Sequence, residues 1–166
     1  MKKLIPTLVI LAAFSLTLAA CGKKADKKDG KKKAVKITLA AVSDAKMGYE
    51  ISIPQGSKTL QKGEYGHTYS YPLPDGMFEY NVHLTPQAAK SRAHLKRLAT
   101  MMGQKQIEET RPVQGGFLLV KKPQGALLEI WVSVKGPTKG VTAKCSGPNQ
   151  DKELLKKICA SLKVTK

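Results

Sequence analysis

Residues 126–145 read ALLEIWVSVKGPTKGVTAKC, and the fold follows from how they alternate. Leu128, Ile130, Val132 and Val134 recur at every second position, with Glu129, Trp131 and Ser133 between them. A period of two is that of a β-strand, whose successive side chains point to opposite faces, so this run offers one face to a core. Gly136-Pro137 ends it, and a second strand is expected over 140–145. The segment between is a hairpin turn: it is rich in Gly and Lys, but no helix follows it as a phosphate-cradling loop would require. Gly115-Gly116 reads as a turn on the same grounds, between strands at 106–113 and 116–121.

Moving toward the N-terminus, the same period appears in Phe78-Tyr80-Val82-Leu84, Tyr69-Tyr71, Tyr49-Ile51-Ile53 and Val35-Ile37-Leu39, with Pro72-Leu73-Pro74-Asp75-Gly76 as a turn signal. Two helices interrupt the strands. Thr85-Pro86 has the form of a helix start, Thr as N-cap and Pro at the first helical position, with Gly103 as the stop. Ala88, Leu95, Leu98, Ala99 and Met102 would line its buried face. A closing helix is expected from Asn149 or Asp151 to Leu162, burying Leu154, Leu155, Ile158 and Leu162. Blocks of strands followed by helices predict an α+β fold, a mostly antiparallel sheet packed by two helices.

Gly48-Tyr49-Glu50-Ile51-Ser52-Ile53-Pro54-Gln55-Gly56, followed by hairpins and a Cys-containing C-terminal helix, resembles the PsbP-like α/β/α sandwich. Ser57 stands where that family carries an aromatic. The resemblance implies a fold and carries over no functional residue.

The N-terminal part has a different texture. A basic head at residues 1–3 precedes an apolar run over 4–18, and Leu18-Ala19-Ala20-Cys21 follows. This is the layout of an export signal. Its last four residues resemble the lipobox of bacterial lipoproteins, which implies cleavage after Ala20 and a diacylglycerol thioether, with further acylation such as palmitate, on Cys21. An ordinary secretory cut would need a small residue at Leu18, and a membrane-spanning helix would need about 20 apolar residues without Pro6. The expected organisation is a signal peptide over 1–20, the lipidated Cys and a Lys-rich, disordered linker over 21–34, and one globular domain over 35–166. At about 3.3–3.6 Å per residue, the dozen residues 22–33 would reach up to about 40 Å.

The formal charge is +17, and it divides along those boundaries. Residues 22–33 hold seven lysines against two aspartates, or +5, and 34–166 hold 20 Lys or Arg against 10 Asp or Glu, or +10. The linker lysines are either a grip on anionic lipid or a solvated spacer. In the first helix Lys90, Arg92, His94, Lys96 and Arg97 meet no acidic residue between Glu79 and Glu108. At 100° per residue Lys90, His94 and Arg97 share a stripe, a candidate anion-binding surface or a solvated outer face. Candidate partners are therefore the membrane, through Cys21, and anionic lipid, cell-wall polymer or an acidic protein. Nucleic acid is disfavoured, because the aromatics show no stacking pattern.

Cys145 ends a strand and Cys159 lies on the closing helix, with a Ser-Gly-Pro-Asn turn between. In an oxidising compartment such thiols are expected to pair, the alternatives being two buried thiols or a reactive or metal-binding pair. No catalytic motif stands out. Gly-x-Ser-x-Gly is absent, His67, His83 and His94 have no obvious acidic orienter nearby, and Glu108 and Glu109 would point to opposite faces of a strand. No cofactor or metal is implied. The resulting expectation is a non-enzymatic, lipid-anchored envelope lipoprotein with a basic binding domain. The rivals are an envelope hydrolase whose site is assembled from distant residues and a purely structural envelope protein. The lipoprotein resemblance implies, from Gly22 in place of the Asp that marks inner-membrane retention in that family, the outer membrane in a two-membrane cell and otherwise the outer face of the plasma membrane.

Overall fold

The computed structural model describes residues 36–88, 97, 99–101 and 103–165. Its largest element is a seven-stranded antiparallel sheet in the order β3-β4-β5-β9-β8-β7-β6. These strands are β3 (Lys58–Gly63), β4 (Gly66–Pro72), β5 (Glu79–Ala88), β6 (Ile107–Val113), β7 (Gly116–Lys121), β8 (Leu127–Lys135) and β9 (Lys139–Pro148). A smaller antiparallel sheet has the order β1-β2-β10, from β1 (Leu39–Asp44), β2 (Tyr49–Pro54) and β10 (Lys163–Val164). Helix α1 (Lys152–Ala160) packs against β8, β9 and β2. The α+β class with a mostly antiparallel sheet is as the alternation predicts.

Leu128, Ile130, Val132 and Val134 are all buried, as their spacing requires. They join Val141, Ala143 and Cys145 of β9, Leu118 and Val120 of β7, and Val82 and Leu84 of β5 in one core. Tyr49, Ile51 and Ile53 of β2 and Leu155, Ile158 and Leu162 from the C-terminal segment close it from the other side. Burying each large aliphatic side chain stabilises the fold by about 1.5–3 kcal/mol relative to exposure. The quoted 48–56 stretch is β2 between two glycines at positive φ, Gly48 at 71° and Gly56 at 88°. Ser57 closes the second turn by donating its hydroxyl to the Pro54 carbonyl at 2.6 Å. At the β6–β7 hairpin, a Cβ on Gly116 would stand 1.9 Å from the Ser133 carbonyl oxygen, so only glycine lets β7 approach β8 there.

Four expectations change. Thr85-Pro86 does not begin a helix: β5 continues to Ala88, with Thr85 opposite Thr142 and Pro86 opposite Val141. The pairing of β5 with β4 ends at Leu84 and His67, so Pro86 lies where the strand has a neighbour on one side only, which a proline tolerates. Of the segment read as the first helix, 97 and 99–101 are helical, and the face residues Leu95, Leu98 and Met102 lie outside the described residues. The first strand runs over 39–44 rather than 35–39. β3 went unpredicted because all six of its residues are exposed and no apolar alternation marks it.

Candidate functional site

Strand periodicity assembles the most distinctive polar cluster. Tyr49 opens β2 on its inward face, and His67 and Tyr69, two residues apart on β4, share one face and meet it. The Tyr49 hydroxyl lies 2.6 Å from His67 Nδ1 and 2.9 Å from the Tyr69 hydroxyl. Asp44, at the end of β1, accepts the Met47 backbone N–H at 2.8 Å and places Oδ2 3.9 Å from His67 Nε2. Tyr49 is 0%, His67 3% and Tyr69 6% exposed.

This arrangement selects one tautomer. If Nδ1 carried the proton, bare Nε2 would face the Asp44 carboxylate, acceptor against acceptor. The proton therefore sits on Nε2, Tyr49 donates to Nδ1, and Tyr69 donates to Tyr49. Burial holds the His67 pKa below its ordinary value; the Asp44 charge partly offsets this, and the Lys62 charge adds to it. Burial chiefly, and the Tyr69 hydrogen bond next, raise the Tyr49 pKa, so its hydroxyl stays protonated. The Met47 N–H chiefly lowers the Asp44 pKa, opposed by partial burial and assisted by Lys62.

A pH dependence follows. Because folding depresses the His67 pKa, the unfolded chain binds the extra proton first, and the associated stability is complete above pH 6.5 and declines as pH falls below it. The carboxylates with lowered pKa, Asp44, Glu79, Glu109 and Glu129, start from ordinary values of 3.8 to 4.5 and contribute only in more acid solution. Urea midpoints of the native chain should therefore drop between pH 7 and 5, and those of His67→Gln should drop less. Equal slopes for the two chains would remove the buried imidazole as the cause.

The cluster underlies a cleft of about 350 Å³ lined also by Lys46, Lys62, Gly63, Glu64, Pro86 and Lys139. Lys62 Nζ is 3.4 Å from Asp44 Oδ2, Lys46 Nζ is 3.1 Å from Glu64, and Lys139 donates to the Lys46 carbonyl at 2.7 Å. Among the described residues no three His, Cys, Asp or Glu side chains converge as metal ligands. What the cleft offers is directed hydrogen-bond donors. A second groove, of about 400 Å³, is bordered by the exposed Met77 and Leu127 and by Phe78, with Glu129 held between Lys121 and Lys144 at 2.7 Å each.

With strand order and site in view, the chain compares with the solution structure of cyanobacterial PsbP (CyanoP) from Synechocystis sp. PCC 6803. The TM-score is 0.51 at 14% identity, over 89% of this chain and 98% of that one. The fold is PsbP-like. At this identity the likeness concerns the PsbP-like fold alone. No protein-family model matches the chain, and no curated protein matches it.

Within the PsbP-like fold, Cys145 and Cys159 form a disulfide with Cα atoms 6.0 Å apart, tying β9 to α1. Arg97 is helical and exposed, whereas Cys21, Lys90, Arg92, His94 and Lys96 lie outside the described residues. Two readings of the titratable residues are corrected. His67 does have an acidic neighbour, Asp44, brought from 23 positions away by the pairing of β1 with β2 and the packing of β2 on β4. Glu108 and Glu109 do not diverge: a register shift between Ile107 and Glu109 lets both reach α1, Glu108 to Lys152 and Glu109 to Lys156 at 2.6 Å. The Asp44–His67–Tyr49–Tyr69 cluster was missed by sequence reading. Its only local signal is His67 and Tyr69 spaced for one face of a strand.

Proposed function

We propose that the chain is exported, cut before Cys21, lipidated there, and held at the cell envelope as a non-enzymatic module that binds through its basic domain. The observation that carries this reading is Leu18-Ala19-Ala20-Cys21 at the end of the apolar run 4–18, which delivers a thiol to the membrane surface where lipid is the co-substrate. The Cys145–Cys159 disulfide supports export, since such bonds persist in oxidising compartments. Binding rather than catalysis is favoured by the state of His67. Its Nδ1 accepts from Tyr49 and its Nε2 carries the proton, so it is no general base, and Tyr49 is no phenolate nucleophile. Gly22 after the lipidated Cys favours the outer membrane where the cell has two.

Intact mass of the protein from the membrane fraction tests the anchor. The expected result is a chain beginning at Cys21 with added acyl mass, and no such species from Cys21→Ser. An unmodified soluble chain in both preparations would overturn it.

A further inference from the structure

His67 is 3% exposed, yet among the described residues its Nε2–H has no hydrogen-bond acceptor, because Asp44 Oδ2 at 3.9 Å is too far. That donor opens onto the cleft rather than being sealed in the core, and it ends the directed chain Tyr69 to Tyr49 to His67 at the cleft wall. An oxygen about 2.8 Å from both Nε2 and Oδ2 would bridge the 3.9 Å between them, accepting from one and donating to the other. Three ammonium groups, of Lys46, Lys62 and Lys139, line the same cleft. The carboxylates there, Asp44 and Glu64, each already face a lysine, which leaves the site richer in donors than in acceptors.

We propose that this cleft binds a partly protonated phosphate group, with its P–OH oxygen accepting from His67 Nε2–H and donating to Asp44 Oδ2, and the other oxygens facing Lys62 and Lys139. A ligand oxygen that itself carries a proton donates it to Asp44 Oδ2, so the carboxylate favours a partly protonated phosphate over a fully ionised one. A divalent cation is the poorer occupant, because the Lys62 ammonium stands 3.4 Å from the Asp44 oxygen a metal would need. The proposal gives the binding module a ligand class and depends on that reading for its biological meaning, but the binding itself does not require the lipid.

The test uses the full chain in neutral detergent micelles with ¹⁵N-labelled histidine. The His67 Nε2–H resonance is followed during titration with inorganic phosphate, with acetate, and with chloride at matched ionic strength. A saturable shift with phosphate and none with acetate or chloride is expected. Lys62→Gln combined with Lys139→Gln should weaken that response about tenfold or more while leaving the His67 tautomer unchanged. No saturable shift with phosphate in a natively folded chain, an equal response to acetate or chloride, or an affinity unmoved by the double substitution would overturn the site. Cys21→Ser titrated in parallel separates the two ideas: binding that persists without acyl mass on the native chain sinks the anchor alone, and lipidated chain that does not respond sinks the oxyanion site alone.

Discussion

Reducing the Cys145–Cys159 disulfide should lower the unfolding free energy by about 3 kcal/mol. The bond closes a loop whose ends are 14 positions apart, and the chain-entropy account assigns about that much to a loop of this length. Its position makes the effect structural as well. Cys145 lies on β9 between its pairings with Val82 of β5 and Ile130 of β8, and Cys159 lies on α1, so the bond fastens the helix to the middle of the large sheet. Both cysteines are 0% exposed, so reduced thiols would remain in an apolar core and keep most of their packing. Two experiments distinguish cross-link from packing. Urea unfolding of Cys21→Ser with and without thiol reductant measures the cross-link, and Cys145→Ala with Cys159→Ala adds the loss of two sulfur atoms. The double substitution should cost more than reduction does, because a cavity term adds to the lost constraint. A midpoint that reductant does not move would mean that the packing of α1, and not the cross-link, holds this corner.

The parts of the fold legible in sequence were those where burial on one face imposes a period. β8 shows this most plainly, and Tyr49, Ile51 and Ile53 show it for β2. β3 carried no such mark because it is an edge strand exposed on both faces, with lysines at Lys58 and Lys62 and a register shift after Thr59 that discourage further pairing. Thr85-Pro86 misled for a different reason. A proline at φ near −65° suits either a first helical turn or an extended edge, and only the pairing with Thr142 and Val141 decides between them. The cysteine pair could be read because both flanking elements were readable. The His67 site could not, because its members come from β1, β2 and β4, and strand pairing rather than any local spacing brings them within hydrogen-bonding range. Glu108 and Glu109 make the same point on a smaller scale, since one register shift redirected a side chain that strict alternation had aimed elsewhere.

Tyr49→Phe should cost about 3 kcal/mol, more than Tyr69→Phe, although both remove one hydroxyl. The asymmetry follows from the direction of the chain. Tyr49 accepts from Tyr69 and donates to His67, so its removal leaves both a buried hydroxyl and a buried ring nitrogen without partners. Each orphaned buried group costs about 1–3 kcal/mol. Tyr69 only donates, and its removal leaves Tyr49 still bonded to His67, so about 1 kcal/mol is expected. The ring packing is conserved in both variants, and the Tyr49 and His67 rings keep their edge contact, with centroids 5.6 Å apart. Urea unfolding of the two single variants and of the double variant closes a cycle. The double should cost less than Tyr49→Phe alone, because the second substitution removes the hydroxyl that the first orphaned and leaves only the His67 ring nitrogen without its partner. Nitrogen chemical shifts of His67 supply an independent reading of the same chain: the native protein should show the proton on Nε2. Equal costs for the two single variants, or a proton on Nδ1, would reverse the direction of the hydrogen bonds and take away the donor on which oxyanion binding at this cleft depends.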